Sequence, residues 1–204
     1  MKSGVITRSG WLLGLAGMIV IGVVSLVYSF TYAAIQQSEY QAMLQALDSI
    51  IPPDSHDNDM VNDSKILPAN KLLGLKKDAQ LYRARNDGKV FAVAFPVTAP
   101  DGYNGPINLL LAIDRDGKIL GARVVSHKET PGLGDRIESR RSDWADGFRG
   151  TSLENPGNEK WKVKKDGGIF DQFTGATITP RKIVKAIHTA LKFVESDPGV
   201  FFDE

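Results

Sequence analysis

Three hydroxyls lie close together near the C-terminal end of the chain, in the run Asp171-Gln172-Phe173-Thr174-Gly175-Ala176-Thr177-Ile178-Thr179-Pro180-Arg181. An amphipathic helix is expected to follow, because Ile183, Val184, Ile187, Leu191 and Val194 recur at three- and four-residue spacing. Thr179 is its expected N-cap, and Pro180 suits the first helical position. Thr174, Gly175, Ala176 and Thr177 then form a small-residue turn delivered to a helix N-terminus. Unpaired N–H groups and the positive end of the helix dipole make that place attractive to phosphate. Arg181 and Lys182 oppose the dipole there but suit a phosphate. Gly175 and Ala176 leave the Thr177 hydroxyl unobstructed. On spacing alone, an ordinary capped helix behind a glycine turn accounts for the same run.

Other chemistry is sparse. The 204 residues include no cysteine and carry a formal charge of +1. Disulfides, thiolate metal sites and cysteine nucleophiles are therefore excluded, and any redox chemistry must come from a bound cofactor. Near-neutral charge leaves no electrostatic footprint for nucleic acid. The three histidines, His56, His127 and His188, have no ligand spacing. His127 lies in a glycine-rich loop, where a hydrogen-bonded structural role is the simpler reading and a ligand-side role the alternative. His188 is expected to be solvated. The acidic stretch 54–64 lacks the glycine and the ligand spacing of a calcium loop and reads as a solvated connection.

The elements that position these groups begin with an anchor. No residue from 11 to 30 is charged, and Trp11, Tyr28 and Tyr32 mark the ends of the run. That length spans a bilayer as a helix. A cleavable signal peptide is the competing reading, but the apolar run exceeds the roughly 7–15 residues of a signal core. Lys2 and Arg8 precede the run and no Lys or Arg follows until Lys65, which predicts a cytoplasmic N-terminus and a chain otherwise outside. Residues 1–34 are thus read as a cytoplasmic stub and anchor. Residues 35–78 are read as a helical stalk ended by Pro52-Pro53 and a connector, and residues 79–204 as the folded domain.

Within that domain, residues 81–85 and 89–97 read as strands around Asn86-Asp87-Gly88, a hairpin signal. Residues 107–113 and 119–125 repeat the pattern around Asp114-Arg115-Asp116-Gly117. Two successive hairpins predict an antiparallel sheet, and with the terminal helix an α+β domain. A helix is expected from Asp135, anchored by Trp144 and Phe148. Residues 159–165, where lysines alternate with Trp161 and Val163, are expected to be a strand with one wet face.

Three stretches carry a resemblance: Gly102-Tyr103-Asn104-Gly105-Pro106-Ile107, His127-Lys128-Glu129-Thr130-Pro131-Gly132-Leu133-Gly134-Asp135, and Asp171 to Thr177. Together they resemble the FMN-binding domain shared by the RnfG (RsxG) component of Rnf-type ion-translocating electron transport complexes and by a component of the sodium-pumping NADH:quinone reductase. The wording is closer to the Rnf component. The resemblance implies FMN held covalently by a phosphoester to Thr177, attached by a flavin transferase that reads Asp171 and Thr174. It places Gly175 and Ala176 in the acceptor turn, and the loop of Glu129, Thr130, Gly132, Leu133 and Gly134 beside the flavin. Tyr103 and Phe173 fit a flavin-side position and a core position equally well. The implied partners are the other subunits of the complex, in a bacterial inner membrane, with the chain a single-pass protein and its main domain periplasmic. The implied function is that of a redox subunit passing electrons between other subunits. A membrane-anchored assembly factor with a vestigial flavin site, and a ligand-sensing module, are the alternatives.

Overall fold

The computed structural model describes residues 3–203; Lys2, on which the expected orientation partly rests, lies outside them. The chain forms two compact units, Met1–Met43 and Leu44–Glu204. The first consists of most of helix α1 (Ser3–Asp48). At 1.5 Å per residue its 46 residues extend for about 69 Å, well beyond a hydrocarbon core of about 30 Å. Every side chain described from Gly10 to Tyr32 is exposed, Leu13, Ile21 and Phe30 among them. An apolar surface of that length is stable in lipid, not in water.

The second unit is built on a five-stranded antiparallel meander, β1 (Ser64–Leu67), β2 (Ala79–Asn86), β3 (Lys89–Ala99), β4 (Ile107–Asp114) and β5 (Ile119–Ser126), in that spatial order. The two predicted hairpins are β2–β3 and β4–β5. In the first, Asp87 and Gly88 both have positive φ (50° and 74°), as a type I′ turn requires. Helix α2 (Ile178–Ser196) lays Ile183, Val184, Ile187, Leu191 and Val194 onto one face of the sheet, against a core including Leu81, Val93, Phe95, Val97, Leu109 and Leu111. A short α3 (Gly199–Phe202) adds Phe201, whose ring lies 4.8 Å from that of Phe95.

The opposite sheet face explains why the folded unit begins at Leu44 rather than near Ala79. Register places Tyr82, Ala94, Ala112 and Gly121 in one row across β2 to β5. Three of these are small, so backbone can approach closely. A β-carbon on Gly121 would lie 2.8 Å from the Ile50 Cα. Leu47, Ile50, Ile51 and Met60 are buried. The acidic stretch 54–64 is accordingly not a solvated loop. Asp63 accepts from Arg83 and Arg85 at 2.5 and 2.6 Å. Burial raises its pKa, but those two guanidinium groups outweigh it and hold the carboxyl below its ordinary value.

Two further expectations are corrected. No long helix follows Asp135; two short 3-10 helices do, Gly134–Ile137 and Trp144–Phe148. Residues 138–143 are all polar, so a continuous helix there would have no apolar stripe to bury. The stretch 159–165 is not a strand either. Trp161 and Val163 are buried and the intervening lysines exposed, as expected. The segment pairs instead with its own return: Lys164 N–H donates to the Phe170 carbonyl at 2.7 Å, and Phe170 N–H to that of Lys162 at 3.2 Å. Gly168 permits the crossing, since a β-carbon there would lie 1.9 Å from the Lys162 carbonyl oxygen.

Candidate functional site

The acceptor turn is a β-turn. Ala176 N–H donates to the Phe173 carbonyl at 3.1 Å, and Gly175, third in the turn, has φ of 83°. That is the glycine position of a type II turn. Phe173 is buried and packs edge-on against Trp144, whose indole N–H donates to the Asp171 carbonyl at 2.8 Å. The segment entering the turn is therefore pinned, and Phe173 is a core residue.

Helix α2 starts two residues earlier than expected. Thr177 takes the N-cap position and its carbonyl accepts from Arg181 N–H, yet its hydroxyl makes no capping bond and has no other partner among the described residues. Thr179 is not the cap. It lies in the first turn, 1% exposed, and its hydroxyl donates to the Glu129 carboxylate 50 residues away. Arg181 and Lys182, expected to suit a phosphate, are otherwise engaged. Arg181 holds Asp166 through bonds of 2.6 and 2.9 Å, and Lys182 pairs with Asp101. Those cations hold both carboxyls below their usual pKa.

Against the turn stands the loop following β5. Glu129 is 5% exposed; one oxygen accepts Asn104 N–H at 3.0 Å and the other the Thr179 hydroxyl. The Asn104 amide also donates to the Thr130 hydroxyl at 3.0 Å. One carboxylate thus joins the 102–106 turn, its own loop and the start of α2. Gly134 fits beneath this junction: a β-carbon on it would lie 2.9 Å from the Glu129 Cβ and 3.2 Å from the Thr179 Oγ1. His127 is a structural loop histidine. Its Nδ1 accepts Glu129 N–H at 3.0 Å and its Nε2 faces Glu138 at 2.8 Å, which fixes the proton on Nε2.

These segments enclose a cavity of about 340 Å³, lined by Tyr103, Glu129, Thr130, Leu133, Gly134, Gly175, Ala176, Thr177, Ile178 and Thr179. Seven of the nine residues expected at the site line it; Thr174 and Gly132 do not. Both lie exposed on turns beside it. Tyr103 is a rim residue, 66% exposed, and with Leu133 and Ile178 it offers an apolar border. Ile178 and Thr179 escaped the sequence reading because Thr179 looked like a cap. His188 is elsewhere and is half-buried rather than fully solvated: its ring stacks on Trp161 at 5.5 Å and its Nε2 meets Asn158 at 2.8 Å.

The cavity suits a phosphorylated, partly apolar ligand. It combines a free hydroxyl at a helix N-terminus, an apolar rim and a few convergent polar groups. Of its three threonines, Thr130 and Thr179 are hydrogen-bonded, and Thr177 has no side-chain partner among the described residues.

Comparison with known proteins converges on the same region. Residues 102–192, which contain every residue lining the cavity, match the FMN-binding domain, and residues 1–50 match the RnfG N-terminal region. The G subunit of the ion-translocating oxidoreductase complex of Pseudomonas aeruginosa is 47% identical over 190 residues, 93% of this chain and 89% of that protein. The proteins of that name from Vibrio cholerae and Shewanella loihica are 44% and 42% identical, over 93% and 94% of this chain and 90% and 91% of theirs. With an apolar N-terminal helix, an α+β domain and this cavity, the chain belongs to the RnfG family, the G subunits of ion-translocating oxidoreductase complexes.

Proposed function

We propose that this chain is the membrane-anchored electron-transfer subunit of such a complex, with FMN joined to Thr177 by a phosphoester and the flavin domain on the periplasmic side. The observation that carries this reading is the Thr177 hydroxyl, the one unpartnered threonine of the cavity. When bound, FMN supplies the electron-accepting and electron-donating chemistry. The chain's own residues hold and orient it. Ile178 and Thr179 N–H groups at the start of α2 suit the phosphate, and Tyr103, Leu133 and Ile178 suit the apolar ring. Asp171 and Thr174 are exposed on the outer side of the turn, where a flavin transferase can read them. A covalent tether keeps the cofactor from being lost outside the cytoplasm. The charge asymmetry around the anchor supports the periplasmic placement.

The test is Thr177→Ala in the assembled complex. The subunits should assemble to the wild-type level while reductant-driven electron transfer in membrane vesicles falls by orders of magnitude. Undiminished electron transfer would assign the chain a scaffolding role instead.

A further inference from the structure

Glu129 is an unusual group to find in a flavin cavity. It is 5% exposed, both of its oxygens accept hydrogen bonds, and both donors are neutral. Acceptance at both oxygens is the pattern of an ionised carboxylate. The titratable groups packed around it do not compensate the charge. On the preceding turn, Asp101 is paired with Lys182 and Tyr103 points its ring at the cavity rim. On its own loop, His127 accepts the Glu129 N–H and turns its other nitrogen to Glu138, while Lys128 is exposed. Asp135 is buried next to Gly134, with Arg141 at 3.5 Å. On α2 the neighbours are Thr177 and Thr179, and Lys182 is turned to Asp101. Among the described residues no cation pairs with Glu129.

We infer that Glu129 lowers the reduction potential of the flavin by standing in its cavity as a buried, uncompensated negative charge, and that Thr179 is the positioning residue that holds it there. The inference rests on the reading of this cavity as the flavin site. Its physics is Coulombic. Reduction adds two electrons and one or two protons to the flavin. When one proton accompanies the two electrons the flavin gains one net negative charge, which a neighbouring fixed negative charge opposes, more strongly inside a protein than in water. A hydroxyl donor on one oxygen and a backbone N–H on the other keep the carboxylate from swinging out to solvent. In acid, where two protons accompany the two electrons, the flavin gains no net charge, so the effect must disappear there.

The test uses the full-length, flavin-loaded protein in detergent, titrated with dithionite and followed by flavin absorbance from acid to neutral pH. Glu129→Gln should raise the midpoint potential near neutrality, and the difference from wild type should shrink to nothing as pH falls. Glu129→Asp, which retracts the charge by one methylene, should shift it in the same direction by less. Glu195→Gln, an exposed carboxylate outside the cavity, should leave it unchanged. An unchanged potential in loaded Glu129→Gln, or a shift equal at all pH values, would overturn the inference while leaving the flavin site standing. Should Glu129→Gln take up no flavin, an Asp variant at the wild-type potential overturns it equally. A wild-type chain that takes up no flavin would sink both.

Discussion

At the scale of single residues, the site depends on where one hydroxyl is free and its neighbours are not. The local run around Thr177 was legible because turn chemistry is local: a small-residue turn before a helix puts its last hydroxyl at the helix start. Thr179 was misread for the complementary reason. Its partner Glu129 is 50 residues away, and nothing in the spacing of the final run announces it. Taken alone, a threonine before a proline is a good cap; the buried carboxylate competes for its hydroxyl and wins. Gly134 is the point where this junction is tightest. We expect Gly134→Ala to displace Glu129, costing about 1–3 kcal/mol in urea unfolding of the domain. Flavin incorporation should fall with it. Wild-type stability in that variant would mean that the contact is slack.

At the scale of elements, the two hairpins and α2 were readable from period-2 and 3.6-residue patterns and formed, whereas β1 was not read. The segments that differ from expectation are those whose partners lie in the chain's own folding back. Residues 159–165 show a strand's alternation, but Gly167 and Gly168 return the chain onto it, so its hydrogen bonds close locally. The same packing gives His188 a role that its polar position on α2 hid. Stacked on Trp161, it is partly buried, and that burial, with Lys192 nearby, lowers its pKa. The sign follows from linkage. The unfolded state, with the ordinary value near 6.5, binds the proton more readily than the folded state. The His188 contribution is therefore fully present above about pH 6.5 and is lost as pH falls through the depressed folded value. Thermal melts of His188→Gln should show a flatter loss of stability between about pH 7 and 5 than wild type. Parallel curves would show that the ring titrates alike in both states.

At the scale of the whole molecule, the sequence separated the anchor from the domain but drew the boundary late. Residues 35–78 read as a stalk and connector, yet Leu47, Ile51, Met60, Leu67 and Leu73 belong to the folded unit. Each is fully or almost fully buried. A chain beginning at Leu44 should therefore fold and melt cooperatively by circular dichroism, whereas one beginning at Ala79 should not. Equal melts would show that β1 and the segment before it are appendages. The orientation can be read with equal economy, since the chain has no cysteine. Lys89→Cys, in the exposed β2–β3 hairpin, should be labelled by a membrane-impermeant maleimide in intact cells with a permeabilised outer membrane. Labelling only after the inner membrane is broken would place the domain in the cytoplasm.

The most direct measurement is the mass of the chain itself. The protein would be produced together with a flavin transferase, denatured, and examined for flavin fluorescence on the gel and for intact mass, beside Thr177→Ala. Fluorescence and an FMN-sized mass increase are expected in the wild type, and both should be absent from the variant. An unmodified wild-type chain, with a control acceptor labelled in the same cells, would contradict the covalent flavin at Thr177.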